Sequence, residues 1–255
     1  MRVVAVLGFI VMTASSAEAG PWTLDAGRSQ VIVKYEPMEA SQGFDERGQR
    51  FDLPGVRIDR SVGLFAEYGL TDRVTLQVKG DWQEGKDGAF TYNGRGPIEI
   101  GATLQVWRTD RTAVSVYGGY ADGGDGRNAG YAAPGVGQSD WEVRSSVGHS
   151  FARAGKWGPD RSFIDIQVAR RMRDGLADES RGELTFGAHY GDDWLLLGQA
   201  YGGIADGDNA RWLLVETSVV RHLGSWSLQG GWRQSVAGRQ TPVAIGPVVA
   251  LWRRF

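Results

Sequence analysis

The chain contains 255 residues, including 38 glycines and 10 tryptophans, with no cysteine and a net charge of −2. The lack of cysteine excludes a disulfide scaffold, a zinc finger, an iron–sulfur site and a thiol nucleophile. The balance of 28 basic against 30 acidic residues argues against a nucleic-acid partner, which would favour a basic patch.

The first residues carry the three parts of a secretory signal peptide. Arg2 precedes an apolar run over 3–12, and small residues then lead to Ala17-Glu18-Ala19, an A-x-A cleavage site. The run is too short for a transmembrane helix, which needs about 20 apolar residues. We therefore expect residues 1–19 to be a signal peptide and residues 20–255 to form one exported domain.

From about residue 30 onward, apolar and polar residues alternate with the period of a β-strand. Val74, Leu76 and Val78, for example, share one face opposite Thr75 and Gln77. The alternation predicts twelve strands, at 28–36, 55–69, 73–83, 97–107, 112–121, 140–151, 161–171, 181–190, 194–204, 210–221, 225–234 and 242–254. Most are long enough to cross a hydrocarbon layer at a tilt, which takes about 9–11 residues.

The predicted connections alternate between short and long. Tight polar turns at 70–72, 109–110, 192–193 and 224–225 are interleaved with longer loops at 37–54, 84–96, 122–139, 172–180, 205–209 and 235–241. We expect the largest loop, 37–54, to pack on the rim or to fold inward and dock a ligand, because Phe44, Phe51 and Leu53 need burial. Short turns on one side and long loops on the other are typical of outer-membrane barrels.

These features predict an all-β fold, a transmembrane antiparallel up-and-down β-barrel of about twelve strands in the outer membrane of a Gram-negative bacterium. A soluble β-sandwich or lectin would explain the alternation, but not the signal peptide, the strand length and the loop asymmetry together. Tryptophans near predicted strand ends fit the aromatic girdles of such barrels: Trp82, Trp107, Trp141, Trp194, Trp212, Trp226 and Trp252.

The C-terminal strand places Val249, Leu251, Arg253 and Phe255 on one face. A terminal Phe on such a strand resembles the signal that the barrel assembly machinery reads. Arg253 departs from the apolar stripe, and its long side chain can reach the interface.

The face opposite the lipid carries both signs of charge. The candidates for a lumen constriction are Arg57, Asp59, Lys79, Asp81, Glu99, Glu142, Arg144, Asp165, Glu183, Glu216 and Arg233, and the same face includes Glu67, Arg73, Arg171 and Arg254. No ladder of arginines is present, which argues against a pore for acidic oligosaccharides. Barrels of about eight strands fill with side chains and those of about sixteen leave a channel, so twelve strands leave both outcomes open.

The sequence offers little for catalysis. His149, His189 and His222 lie at strand ends on the predicted periplasmic side, and no H-E-x-x-H or G-x-S-x-G motif occurs. Barrel enzymes that process lipids hold a serine–histidine pair near the outer leaflet instead. We therefore expect no enzyme, no cofactor and no metal site.

The segment Phe65-Ala66-Glu67-Tyr68-Gly69-Leu70-Thr71-Asp72-Arg73-Val74-Thr75-Leu76, together with Trp22-Thr23-Leu24 before the first strand, resembles a recurrent phrase of one barrel family. It is similar to outer-membrane barrels grouped under a meta-pathway phenol-degradation or transporter heading. The resemblance implies uptake of small, often apolar compounds. Barrels that carry such compounds often hold an N-terminal plug, and the short stretch of about ten residues before the first strand argues against one here.

The leading hypothesis is an outer-membrane channel or transporter that passes small solutes by passive diffusion through a mixed-charge lumen. Its expected partners are outer-membrane lipid, lipopolysaccharide and the barrel assembly machinery, with no nucleic acid. The alternative is a closed barrel that acts as a surface or scaffold protein through its extracellular loops. An outer-leaflet lipid-modifying enzyme is the third possibility.

Overall fold

The computed structural model describes residues 20–88, 90–124, 137–153, 158–207 and 210–255. The expected signal peptide and most of the predicted 122–139 loop lie outside these ranges. Among the described residues, no helix is long and apolar enough to cross a membrane.

The described residues form twelve long strands and one short strand. They are β1 Ser29–Phe44, β2 Arg50–Thr71, β3 Val74–Asp87, β4 Phe90–Arg108, β5 Thr112–Asp122, β6 Ser139–Ala152, β7 Arg161–Arg173, β8 Glu179–Tyr190, β9 Trp194–Ala205, β10 Arg211–Leu223, β11 Trp226–Arg239, the two-residue β12 Thr241–Pro242 and β13 Ile245–Arg254.

Each long strand pairs antiparallel with its neighbours in the chain, and β13 pairs with β1 to close the ring. The closing register sets Gln30 opposite Arg254 and Tyr35 opposite Val249. A closed ring satisfies the backbone hydrogen bonds of every long strand, which an apolar layer requires. The structure therefore confirms the predicted antiparallel barrel of twelve strands.

The outward face is apolar and exposed over a continuous band. On β2, Val62, Leu64, Tyr68 and Leu70 point outward, each about half exposed, while Glu67 between them is 5% exposed. A water-soluble protein rarely exposes an apolar surface of this extent. The alternation therefore sorts the two faces as a lipid-facing barrel requires.

The aromatic residues at the strand ends follow the predicted girdles, with two exceptions. Trp82, Trp107, Trp141, Trp194 and Trp226 are 43–60% exposed on the outer surface. Trp252, in contrast, is 4% exposed inside the barrel. Trp212 is half-buried and donates from Nε1 to Glu179 Oε1 at 3.1 Å. For these two residues, the girdle prediction is wrong.

The prediction of a loop over 37–54 is also wrong, because β1 and β2 continue through most of it. Their ladder runs to Phe44 opposite Arg50 and leaves 45–49 as the connection. Val62 on β2 pairs with Trp82, which marks the upper edge of the apolar band. Beyond that edge the outward face no longer meets lipid and need not be apolar, so the sheet persists without the alternation that identifies a strand. The predicted loop 84–96 is shortened for the same reason, since β3 ends at Asp87 and β4 begins at Phe90.

Residues 20–28, called here the N-terminal segment, enter the lumen from the end with the short turns. Pro21 is fully buried, and its carbonyl oxygen accepts a hydrogen bond from Gln105 Nε2 on β4 at 2.9 Å. Trp22 packs edge-on against Phe163 of β7, with ring centroids 6.1 Å apart. The segment therefore fills this end of the barrel, which overturns the expectation that too few residues precede β1 for a plug.

An apolar cluster inside the barrel receives this segment. It consists of Phe163, Leu195, Leu197, Val220, Ala250 and Trp252, with Trp22 and Ile32 packed against it. The alternation predicted that apolar side chains face the lipid and polar side chains face the lumen, and for the residues of this cluster the prediction is wrong. The N-terminal segment occupies the space that water would otherwise fill, so apolar side chains are stable inside.

Candidate functional site

The lumen has three layers. Above the N-terminal segment and its apolar cluster lie two groups of ion-paired side chains, and above them lies an open chamber.

The first group, called the β3–β8 charge cluster, consists of Lys79, Glu99, Glu142, Arg144 and Arg171. Lys79 Nζ lies 2.8 Å from Glu99 Oε1. Arg171 contacts Glu99 and donates from Nε to Glu142 Oε2 at 2.8 Å, and Arg144 also pairs with Glu142. The five members carry three positive charges and two negative ones, a net charge of +1. Two further charges of opposite sign border them: Arg181 on β8 lies 3.7 Å from Glu142, and Asp140 lies 3.7 Å from Arg171.

Burial and neighbouring polar groups fix this cluster in place. The side chains of Glu99, Glu142 and Arg171 are no more than 4% exposed. Tyr117 donates its hydroxyl to Glu99 Oε1 at 2.7 Å, and its ring lies 4.9 Å beneath the Arg144 guanidinium. Buried charges are stable only when paired and hydrogen-bonded, and these groups meet both conditions.

The second group, the β1–β11 charge cluster, lines the wall formed by β1, β10 and β11. Arg233 contacts Glu216 Oε2 and Glu36 Oε1, each at 2.5 Å. Lys34 lies 3.3 Å from Glu36 and 3.7 Å from Glu216. Two cations face two carboxylates, so this wall is neutral. The Arg233 guanidinium also covers the ring of Tyr201, 5.0 Å from its centroid.

A chamber of about 370 Å³ opens above the two clusters, at the end that carries the long connections. This volume is within the range of small-molecule pockets, about 300–1,000 Å³. Its walls combine aromatic and charged side chains, among them Glu36, Asp59, Tyr92, Tyr201, Trp212 and Arg233. Arg57, fully buried behind the chamber, pairs with Asp59 at 2.7 Å and Asp87 at 3.1 Å.

The eleven constriction candidates are all buried or half-buried on the inward face, and the structure brings eight of them into three groups. Lys79, Glu99, Glu142 and Arg144 share one cluster, Glu216 and Arg233 share the other, and Arg57 pairs with Asp59. The remaining three carboxylates lie apart. Asp81 accepts from Gln83 Nε2, Asp165 accepts from Gln167 Nε2, both at 2.7 Å, and Glu183 is half-buried on β8.

One residue assigned to the inward face does not lie there. Arg73 occupies the turn between β2 and β3 and is exposed. Turn residues do not follow the alternation of the strands that they connect, so extending the period through the turn misplaced its side chain.

Several charged residues that face the lumen were not predicted from the sequence. Glu179 is fully buried and pairs with Arg173 and Arg181, each at 3.0 Å. The strand boundaries predicted at 171 and 181 excluded Arg173 and Glu179. Lys34 and Glu36 lie within the predicted first strand, four and six positions after the buried Gln30. Residues an even number of positions apart share one face of a strand, so the alternation could have placed both side chains inward.

The three histidines lie near the short-turn end. His149 Nδ1 lies 2.8 Å from Thr112 Oγ1, and His222 Nδ1 lies 2.8 Å from Ser227 Oγ. The rings of His189 and His222 stack with centroids 6.3 Å apart. Within the described ranges, no group of three or more His, Asp or Glu side chains is arranged to hold a metal ion.

The C-terminus lies at the same end, on the outer surface. Phe255 is 60% exposed, and Leu251 on the same stripe is 41% exposed. The Arg253 guanidinium lies 4.7 Å from the Trp226 ring centroid and 5.1 Å from that of Phe255. These rings hold the Arg253 cation at the outer rim of the barrel.

No family model matches the chain, and no curated protein matches it. Solved structures do match. The crystal structure of an outer-membrane channel from Pseudomonas putida F1 superposes with a TM-score of 0.68 at 14% identity, covering 93% of this chain and 99% of that chain. The NanC porin gives 0.59 at 7% identity over 88% and 98% of the two chains. The translocator domain of the autotransporter NalP from Neisseria meningitidis gives 0.51 at 8% identity over 91% and 90%. The chain therefore has the fold of outer-membrane barrels, and the resemblance seen at residues 65–76 is confirmed at the level of fold.

Proposed function

We propose that this protein is an outer-membrane channel that passes small polar solutes by passive diffusion through a mixed-charge lumen. The observation that carries the proposal is the chamber of about 370 Å³ at the long-loop end, with ion-paired walls beneath it. Solved barrels of the same fold include a channel and a porin. The proposal involves no covalent chemistry, cofactor or metal.

The charge clusters support passage of polar solutes. Every charged side chain of the β3–β8 charge cluster has an opposite charge within ion-pair distance, so no single ion is held tightly against one wall. A solute can exchange hydrogen bonds with Lys79 and Arg144, the more exposed members of the cluster, without leaving a buried charge unpartnered. We expect weak ion selectivity, because one cluster carries +1 and the other is neutral.

The proposed setting is the outer membrane, with the short turns in the periplasm and lipopolysaccharide around the outer half of the apolar band. The exposed Phe255 at the end of β13 is the proposed signal for the barrel assembly machinery. The apolar outward band and the aromatic girdles support insertion in a membrane, and the short turns at one end support this orientation.

A second candidate function follows from the N-terminal segment. Because this segment and the apolar cluster fill the periplasmic end, a barrel that never opens would act through its outer rim as a surface or scaffold protein. The two candidates differ in one measurable property, the conduction of ions.

Single-channel recording of residues 20–255 in a planar bilayer tests the proposal. We expect discrete conductance steps and a reversal potential near zero under a salt gradient. The same recording on a variant without residues 20–26 separates the two candidates. If a heat-modifiable, folded barrel conducts in neither form, the channel proposal fails and the scaffold function replaces it.

A further inference from the structure

Asp165 on β7 is a buried carboxylate with an incomplete set of partners. It is 2% exposed and accepts one hydrogen bond, from Gln167 Nε2 to Oδ2 at 2.7 Å. Its Oδ1 is fully buried and receives no hydrogen bond from any residue in the described ranges. A buried carboxylate of this kind is costly unless a cation or further donors reach it.

Gly20, the first described residue of the N-terminal segment, lies against this carboxylate. A Cβ atom added to Gly20 would lie 2.8 Å from Asp165 Oδ2 and 3.4 Å from its Cγ. The α-nitrogen is bonded to the same Cα, so it lies within about 5 Å of Oδ2. Any larger residue at this position would crowd the carboxylate, so glycine is the residue that fits.

The sequence supplies a charge at this position. The A-x-A site ends at Ala19, so cleavage there makes Gly20 the first residue of the exported chain. Cleavage hydrolyses the Ala19–Gly20 amide: water adds its oxygen to the Ala19 carbonyl carbon, and the nitrogen leaves with Gly20. A neutral amide with one N–H thereby becomes an ammonium group with three donors.

We propose that signal-peptide cleavage after Ala19 produces the counter-ion of Asp165, so that the Gly20 α-ammonium locks the N-terminal segment into the lumen. Proteolytic maturation and anchoring of the N-terminal segment inside the lumen are then one event. The uncleaved precursor has only an amide at Gly20, and it leaves Asp165 without a cationic partner. This inference rests on the proposed export signal and does not require that the barrel conduct.

The rest of the segment is built to hold this position. Leu24 N donates to Thr75 Oγ1 and Thr23 Oγ1 donates to the Asp72 carbonyl oxygen, each at 2.9 Å. Gly148 on β6 gives room to Trp22, because an added Cβ would lie 2.3 Å from that ring. These contacts fix the path of the N-terminal segment, and its first residue, Gly20, then lies beside the Asp165 carboxylate.

The first experiment determines the N-terminal residue and its accessibility. Intact-mass analysis of protein purified from outer membranes is expected to give a chain that starts at Gly20. Amine-selective labelling at near-neutral pH, followed by peptide mapping, then reads the Gly20 amine separately from the lysines. We compare the wild type with D165N, and with E67Q as a matched control that removes another buried inward carboxylate bonded to a glutamine, on β2.

We expect the Gly20 amine to react about tenfold faster in D165N than in the wild type, the ratio that a loss of about 1.4 kcal/mol produces. E67Q should react like the wild type. Equal rates in the wild type and D165N overturn the proposal, as does a mature chain that starts at another residue.

A second measurement keeps the proposal testable if D165N does not fold. The wild-type barrel is compared with the same protein acetylated at Gly20, which removes the α-charge and leaves every side chain unchanged. We expect trypsin to cleave about tenfold faster after the exposed Arg28 in the acetylated protein, by the same conversion. Equal cleavage rates would show that the charge does not hold the segment.

Discussion

Removing two cations from the β3–β8 charge cluster should invert the ion preference of the lumen. The double variant K79Q/R144Q leaves Arg171 as the cation shared by Glu99 and Glu142, with Arg181 3.7 Å from Glu142, and it lowers the charge of the five-residue cluster from +1 to −1. Glutamine keeps most of the side-chain length and hydrogen-bonding capacity. The lumen should therefore keep its width while its charge changes sign.

The size of the effect follows from Coulomb's law. A unit charge about 6 Å from a passing ion contributes about 0.7 kcal/mol in water, so two charges contribute about 1.4 kcal/mol. The change favours a cation and disfavours an anion by equal amounts, and screening at about 0.1 M salt roughly halves the total. The net difference of about 1.4 kcal/mol corresponds to about a tenfold rise in the cation-to-anion permeability ratio.

The assay is the reversal potential of single channels under a potassium chloride gradient. The matched control is R221Q/R253Q, which removes two positive charges from the outer surface near the short turns. The control should leave the ratio unchanged. A permeability ratio unaltered in conducting K79Q/R144Q protein would place the cluster outside the ion path and refute this reasoning.

Three further predictions concern the ends of the barrel. G148V should expel the N-terminal segment, because the added side chain occupies the space of its tryptophan, and single-channel recording should give a higher conductance; G118V, where an added Cβ meets nothing within 4 Å, should conduct like the wild type. Arg170 on β7 donates a hydrogen bond to Asp206 Oδ1 at 2.8 Å, which lowers the pKa of that carboxyl and tethers the loop between β9 and β10. This tether is present above the carboxyl's ordinary pKa of 3.8 and is lost as pH falls through the lowered value. Limited proteolysis of the loop should therefore accelerate only in strong acid for the wild type but at every pH for D206N, and equal rates at neutral pH would contradict the role of the tether. F255A should reduce the heat-modifiable fraction of protein in outer membranes severalfold, whereas F151A, which removes another exposed phenylalanine, should not; equal losses would indicate a general need for apolar surface.

The membrane-embedded parts of the strands could be predicted from the sequence because lipid imposes a strict rule there. Outward residues such as Val62 and Leu64 must be apolar, and the inward residues between them are free to be polar. The period of two therefore identifies both the strand and its faces. The charged lumen residues were found by the same rule, which explains why all eleven candidates lie on the inward face.

The rule fails wherever the environment on one side changes. Above the apolar band, the outward side chains of residues 37–44 and 50–54 no longer face lipid, so their strands carry no alternation and were predicted as a loop. At the opposite end, Leu195 and Leu197 lie inside against an apolar cluster rather than outside against lipid. Because residues 195–197 are all leucine, the sequence does not indicate which of them face the lipid and which face the lumen. The position of the N-terminal segment determines this.

The candidate site was predicted residue by residue but not as an arrangement. Alternation placed Glu99 and Arg171 on the inward face, yet they lie 72 positions apart in the sequence and meet only because four strands lie side by side. The N-terminal segment could not be inferred from its length. Nine residues suffice to reach Asp165, because an extended chain covers about 3.3 Å for each residue.

Strand β2 extends beyond the apolar band, and this extension has a consequence for its backbone amides. On β2, the apolar band runs from Val62 to Leu70, and these nine residues span about 23 Å of membrane at a tilt of about 40°. Residues 50–61 continue the same ladder into water. One strand therefore contains two kinds of amide, shielded by lipid below Val62 and bordered by solvent above it. Hydrogen–deuterium exchange along β2 would change abruptly at that residue and would locate the membrane surface on the protein.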